Sequence, residues 1–257
     1  MSGASYRVEA LARGLSVLTA FSASRSSSMT LTELSTVTEL PMPTAFRLVW
    51  TLQDAGYLER LPSGAYRPGL QVLALGQATL KGSDLVQMSE ASLRKLADLT
   101  GQTVNLGVLI GDQVLYLVRI RNADLVTADI HVGSTLPAAY SSMGKVLLAD
   151  LDAAEVERQV RKNGLPRGYG PNAVASIGAL LSQLSEARGQ GFAMQDQEVA
   201  FGLRSIAAPL RNEKNRVVAA INIAVKATDF TVNAILRNLK QPLITEAHEL
   251  SLRLGGR

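Results

Sequence analysis

The apolar positions of the first eighty residues recur at a spacing of three and four. Val8, Leu11, Ala12, Leu15, Leu18 and Phe21 predict an amphipathic helix over residues 8–21, closed by the polar stretch 22–28. Leu34, Val37 and Leu40 predict a second, short helix over 32–40, with Thr32 as its N-cap. Pro41 and Pro43 stop that helix and open the next, because proline is tolerated only in a helix's first turn. Ala45, Leu48, Val49, Leu52 and Ala55 then line one face of a third helix over 43–55, and Gly56 stands where a C′ residue belongs. Two short runs, 57–60 and 65–67, flank Pro62-Ser63-Gly64, the residue types of a tight turn. Two short helices, a turn and a small hairpin predict a winged helix-turn-helix, whose second helix suits the DNA major groove.

A solvated helix face normally carries Glu–Lys pairs at spacing four. The outer face of 43–55 carries Thr44, Arg47, Thr51 and Asp54 instead, with Phe46 and Trp50 beside them. The two aromatics either pack under the wing or the first helix, or stand exposed. Thr44 and Arg47 are the leading candidates for phosphate or base-edge contacts. Met42, Pro43 and Thr51 on the same helix, with Arg60 and Arg67 on the hairpin, complete the expected DNA-binding set, and Arg7 is available as an N-terminal arm.

Residues 70–80 continue as a helix, Gly82-Ser83 interrupts, and 84–100 resumes with Leu85, Met88, Leu93, Leu96 and Leu99. This organisation gives a DNA-binding domain over 1–69, a linker helix over 70–83 and a second domain over 84–257. From Gly101 the period falls to two. Val104, Leu106, Val108 and Ile110 alternate, Gly111-Asp112 turns the chain, and 114–120 alternates back, a β-hairpin. Further strands are expected at 125–132, 191–195, 205–210 and, centrally, 217–226. Helices are expected at 141–148, 153–162 and 177–190, with a last one over 231–254 that Pro242 kinks or splits. The mixture predicts an α+β domain with a curved antiparallel sheet and helices on one side.

Composition narrows the function. Of 257 residues 47% are hydrophobic and 19% charged, a globular balance. A net charge of +4 is too mild for a non-specific polyanion binder but suits a dimeric reader making few phosphate contacts per subunit. The longest apolar run, 217–225, is too short to span a bilayer, and the first ten residues have no apolar h-region. With no cysteine, disulfides, thiolate metal sites and cysteine nucleophiles are excluded, and the cytoplasm is the expected compartment.

Catalytic patterns are lacking. His131 and His248 are far apart with no carboxylate spacing of a metal site, and His131 is read as structural, on a strand end beside Gly133. Met143-Gly144-Lys145-Val146 imitates a phosphate loop, but Ala139 replaces the upstream glycine and Val146 the magnesium-binding hydroxyl. No G-x-S-x-G elbow occurs. No enzyme activity, cofactor or metal is expected. Two stretches still have the look of a binding site: residues 136–145, where small and hydroxyl residues lead into a helix start that favours an anion, and residues 195–205. Asn222 interrupts the apolar strand and either satisfies neighbouring backbone or faces a polar pocket.

Three motifs in order carry a resemblance. Pro41–Arg47 with Leu52-Gln53-Asp54-Ala55-Gly56-Tyr57-Leu58-Glu59-Arg60, then Ser141-Ser142-Met143-Gly144-Lys145-Val146-Leu147-Leu148-Ala149, then Gly202-Leu203-Arg204-Ser205-Ile206-Ala207, resemble the IclR family of bacterial transcriptional regulators over essentially the whole chain. Within it, Leu106-Gly107-Val108-Leu109, residues 132–138 and residues 219–223 look most like regulators of protocatechuate and hydroxybenzoate catabolism. The resemblance implies a GAF-like effector domain after the winged helix-turn-helix, a palindromic double-stranded operator, and homodimers that assemble into tetramers. It further implies an effector carboxylate held by Ser142, Met143, Gln195, Ser205, Asn222 and Ala224, under an apolar cover of Ala128, Leu136 and Leu203.

Gln195 stands where glyoxylate-type relatives carry Asp, Asn222 and Ala224 where they carry serines, and Ala128 where they carry a larger methionine. Those departures predict an enlarged pocket for a mono-aromatic carboxylate such as 4-hydroxybenzoate or protocatechuate, with Tyr140 as partner of a ring hydroxyl. A short aliphatic acid is the alternative effector. Of other classes, a small-acid enzyme and a pure oligomerisation module are the competing readings. Met42-Pro43 replaces a commoner basic–Ser pair, which predicts fewer phosphate contacts from the first turn.

Overall fold

A capping box starts the helix-turn-helix. In the computed structural model, which describes residues 6–23, 26–121 and 130–256, Thr30 Oγ1 accepts from Glu33 N at 3.2 Å and Thr30 N donates to Glu33 Oε2 at 2.7 Å. The cap is therefore Thr30, not Thr32. The T-x-x-E signature outranks apolar spacing as a start signal. The helices are α1 (Glu9–Ala23), α2 (Leu31–Val37) and α3 (Met42–Asp54), followed by β1 (Leu58–Arg60), β2 (Tyr66–Pro68) and α4 (Leu70–Lys81). Between α2 and α3, Glu39 adopts φ 55°, and Leu40 N donates to Ser35 O at 3.1 Å while Ser35 Oγ donates to Leu40 O at 2.6 Å. Gly56, at φ +78°, ends α3 in the left-handed region where a side chain is strained. β1 and β2 pair antiparallel with Glu59 opposite Arg67. Val17, Phe21, Leu34, Ala45, Val49, Leu58 and Tyr66 form the core of this unit. Among the described residues α4 buries none of its own, and Leu70, Leu73 and Leu75 are exposed.

The chain divides into two units, Met1–Gly82 and Ser83–Arg257. The second holds α5 (Asp84–Thr100), β3 (Thr103–Ile110), β4 (Gln113–Ile120), β5 (Thr135–Pro137), α6 (Ser142–Ala149), α7 (Ala153–Asn163), α8 (Ile177–Gln190), β6 (Ala193–Asp196), β7 (Leu203–Arg211), β8 (Val217–Lys226), α9 (Val232–Asn238) and α10 (Lys240–Arg253). Six strands run in the order β5-β4-β3-β8-β7-β6, every neighbouring pair antiparallel. Most of the strand expected at 125–132, including Ala128, lies outside the described residues. Ile130–Val132 are not in a strand, and His131 sits in a turn with Ser134 N donating to its carbonyl at 3.0 Å. The strand next to β4 is instead the three-residue β5. The break in the last helix falls at Leu239, and Pro242 occupies the first turn of α10, where its missing N–H costs nothing.

Helices cover both faces of the sheet, not one. Ser142 Oγ and Ser205 Oγ hydrogen bond at 2.7 Å, so the face of Ser205, Ala207, Asn222 and Asn105 looks toward α6. Ile206, Ile221, Ile223, Val104 and Leu106 alternate with these, point the other way and are fully buried. α5 and α10, packed on each other and on β3, β4, β7 and β8, cover them. Gly144 lets α6 approach its own leading turn: a Cβ there would stand 2.2 Å from Ala138 O.

Candidate effector cavity and nucleic-acid interface

On the face toward α6, the register places three polar residues in one row across neighbouring strands: Arg119 (β4) opposite Asn105 (β3), and Asn105 opposite Asn222 (β8). Arg119 Nη1 donates to Asn105 Oδ1 at 3.0 Å, and Asn105 Nδ2 donates to Asn222 Oδ1 at 2.7 Å. The row forms because β4 carries a bulge. Leu106 pairs with Val118 and Gly107 with Tyr116, which leaves Leu117 extra and turns both Tyr116 and Arg119 to the same face.

The row floors a cavity whose other walls include Tyr116, Ile130, Leu136, Val199, Leu203 and Ala224, with Ser141, Gln195 and Ser205 at its polar end. Burial pushes the Tyr116 hydroxyl well above the usual range, against a smaller opposite pull from Arg119, so it stays protonated and can donate. Of the two roles the sequence left open, Asn222 takes the pocket: it lines the cavity, and its Oδ1 is tied to the Asn105 side chain, not to backbone.

Six expected effector residues meet here: Leu136, Gln195, Leu203, Ser205, Asn222 and Ala224. Ser142 reaches the group only through Ser205, and Met143 is fully buried without lining the cavity. Gln195 is spent on the main chain, its Nε2 donating to Leu203 O at 3.2 Å and its Oε1 accepting from Glu198 N at 3.0 Å. Tyr140 points elsewhere: its Oη donates to Pro166 O at 2.7 Å and its ring tilts on Tyr169 with centroids 5.5 Å apart. Ala128 lies outside the described residues. The space open to the centre of a water molecule is about 10 Å³, so the enlarged pocket expected from small residues is narrow as it stands. Asn105, Tyr116, Arg119 and Ile130 were not foreseen, while Ser141 and Val199 were foreseen only as members of the stretches 136–145 and 195–205. The signal for Asn105 was the same as for Asn222, an amide in an apolar strand, but nothing in the sequence marks the bulge that brings in Arg119.

On α3, Met42, Pro43, Arg47 and Thr51 are exposed and Thr44 is half-buried. Phe46 and Trp50 do not pack away: they are 52% and 58% exposed and continue a stripe begun by Met42. Thr51 Oγ1 donates to Arg47 O at 2.8 Å, which leaves its lone pairs outward. On the wing, Arg60 and Arg67 are exposed, but Arg67 is held two-pronged by Glu59, Nε at 2.9 Å from Oε2 and Nη2 at 3.1 Å from Oε1. Arg7 is paired with Glu9 at 3.1 Å. Among the described residues no ion pair engages Arg47.

A winged helix-turn-helix with an unpaired arginine on its reading helix, in one chain with a domain that holds a cationic and amide-lined cavity, defines a ligand-responsive DNA-binding regulator. Among the described residues, no cluster of His, Cys, Asp or Glu could hold a metal and no helix is long and apolar enough to cross a membrane.

Comparison with known proteins gives the family. A model described as the IclR helix-turn-helix domain matches residues 10–62, and one described as the bacterial transcriptional regulator IclR C-terminal matches residues 77–252. The chain belongs to the IclR family of transcriptional regulators; it is a regulator and not an enzyme. It is 32% identical to the HTH-type transcriptional regulator XynR of Escherichia coli, over 96% of this chain and 98% of that one. It is 30% identical to the Pca regulon regulatory protein of Pseudomonas putida, over 96% and 84%. It is similar to an IclR homologue of Microbacterium hydrocarbonoxydans solved in complex with 4-hydroxybenzoate, with 26% identity, a TM-score of 0.69 and coverage of 95% and 99%.

Proposed function

We propose that this regulator acts in the cytoplasm as a homodimer on a palindromic operator, and that its effector is a mono-aromatic carboxylate of the 4-hydroxybenzoate or protocatechuate type. The observation that carries the effector is the Arg119–Asn105–Asn222 row, a half-buried cation beside two buried amides, opposite apolar walls. A guanidinium and amide N–H groups match a carboxylate. Leu136, Leu203 and Val199 offer a ring apolar contact, and the Tyr116 hydroxyl replaces Tyr140 as the partner for a ring substituent. The 4-hydroxybenzoate complex of the Microbacterium homologue and the Pca regulon relative support the same class of ligand.

A second reading, a short aliphatic acid, is favoured by the narrowness of the cavity, which a ring requires to widen. Calorimetric titration with 4-hydroxybenzoate, protocatechuate, benzoate and glyoxylate decides between them. The aromatic reading expects the ring acids to bind at least about tenfold tighter than glyoxylate, a gap of about 1.4 kcal/mol. Equal or tighter glyoxylate binding establishes the aliphatic one.

For DNA, α3 is the reader and Arg47 its leading contact, with Met42, Pro43, Thr44 and Thr51 beside it and Arg60 on the wing. Footprinting should find two half-sites about one helical turn apart or a multiple of it. An asymmetric single footprint would defeat the two-fold arrangement.

A further inference from the structure

α8 and the edge strand β6 border another cavity, with room of about 190 Å³. Lys145 and Glu198 line it, with Gln183 and Glu186 from α8, and Phe192. Lys145 is 2% exposed and Glu198 5% exposed. Lys145 Nζ donates to Glu198 Oε1 at 2.5 Å and to Met194 O at 3.1 Å.

The lysine satisfies only one oxygen of that carboxylate. Glu198 Oε2 is buried and accepts no hydrogen bond among the described residues, and Gln183 Oε1 is buried in the same condition. Buried polar atoms in native proteins are nearly always partnered, so two idle acceptors on one cavity mean that the cavity is short of donors. Its charge points the same way. Glu186 lies one turn from Gln183 on α8 and acts on Lys145, so one ammonium faces two carboxylates. Asp196, which also lines the cavity, is paired with Arg204 at 2.6 Å. Lys240 is a further cation beside the cavity, its Nζ 4.5 Å from the centre of the Phe192 ring, and it hydrogen bonds to neither idle acceptor. Among the described residues no cluster of metal-ligating side chains is present, which sets a metal ion aside.

We propose that this cavity is a second small-molecule site, for an organic cation with at least two N–H donors (a primary alkylammonium or a guanidinium), which donates to Glu198 Oε2 and Gln183 Oε1. The site does not depend on what fills the cavity beside Arg119. Glu198 N donates to Gln195 Oε1, and Gln195 lines that other cavity, so the two are adjacent but use different groups.

The test is calorimetry on the full chain with butylammonium chloride, guanidinium chloride and, as a cation without N–H groups, tetramethylammonium chloride. Saturable binding of the first two is expected, with tetramethylammonium at least about tenfold weaker. Gln183→Leu should weaken butylammonium about tenfold, and Gln183→Glu, which keeps the acceptor and adds charge, should tighten it. Circular dichroism confirms that each variant is folded, and Gln183→Glu alone decides the matter if Gln183→Leu is not. Absence of saturable binding, equal affinity for tetramethylammonium, or an affinity indifferent to both variants overturns the proposal.

Discussion

Asn105 and Asn222 share one hydrogen bond, and Arg119 fixes which way the shared amide points by donating to Asn105 Oδ1. Arg119→Met should therefore lower 4-hydroxybenzoate affinity by about 1.5–3 kcal/mol, tenfold or more, because a charged donor is lost. Binding of the neutral analogue 4-hydroxybenzamide should change far less; equal losses in calorimetry would assign Arg119 to architecture. Gln195 behaves otherwise. Since both ends of its amide hold main-chain groups, Gln195→Ala should cost stability, about 1–3 kcal/mol per orphaned group, in urea unfolding.

The Lys145–Glu198 pair also reports through stability. Burial holds the Glu198 carboxyl above its ordinary 4.5 and the Lys145 ammonium below its ordinary 10.5, with their mutual attraction opposing both shifts. The folded protein thus keeps the Glu198 proton longer than the unfolded chain, so stability falls as pH rises from 4.5 through the raised folded value. It gives up the Lys145 proton earlier, so stability rises again as pH climbs through the lowered folded value to 10.5. Urea unfolding across that range should show a minimum that the Lys145→Met, Glu198→Leu double variant lacks. Either single variant should cost about 3–5 kcal/mol and the double far less, because a lone buried charge is worse than a pair or none. At this scale the sequence revealed Asn222, Ser205 and Leu203 by their place in motifs, but not what each bonds to, since partners such as Asn105 and Ser142 lie 117 and 63 residues away.

Among elements, the amphipathic helices were readable because burial repeats along them: α5 and α8 have the bounds that spacing and caps predict, from Asp84 to Thr100 and from Ile177 to Gln190. β5 was not, because three residues carry no period. The covering of both sheet faces was written in the run 217–225, since a strand apolar on all but one residue is covered on both sides; alternation in 103–110 masked it. In the DNA-binding unit, pairing separates two arginines that look alike in sequence. Arg47→Ala should weaken operator binding by about 1–3 kcal/mol and relax one base pair per half-site, as for a base-edge contact. Arg67→Ala, whose guanidinium is already engaged by Glu59, should change it by less than Arg47→Ala does. Fluorescence anisotropy with operator and scrambled DNA checks both, and a larger loss from Arg67 would move the contact to the wing.

For the whole chain, an effector bound in the second unit changes DNA affinity only if it favours one arrangement of the reading heads over another. Gly82 caps α4 at φ −83°, a conformation alanine also adopts, with the nearest atom to an added Cβ at 3.5 Å. Gly82→Ala should therefore leave effector affinity intact while reducing the ligand's effect on DNA release; an unchanged effect in a paired titration removes the α4–α5 junction from the coupling. α4 itself, with Leu70, Leu73 and Leu75 bare, is the expected seam of the dimer, and Leu73→Glu should yield monomers in light scattering. A dimer paired through that helix would carry a dose–response. When monomers predominate, the concentration of paired reading heads grows as the square of the amount of chain made. In a dimer seamed on that helix, halving expression would leave about a quarter of the operator-competent protein, so gene dosage would itself act on the promoter.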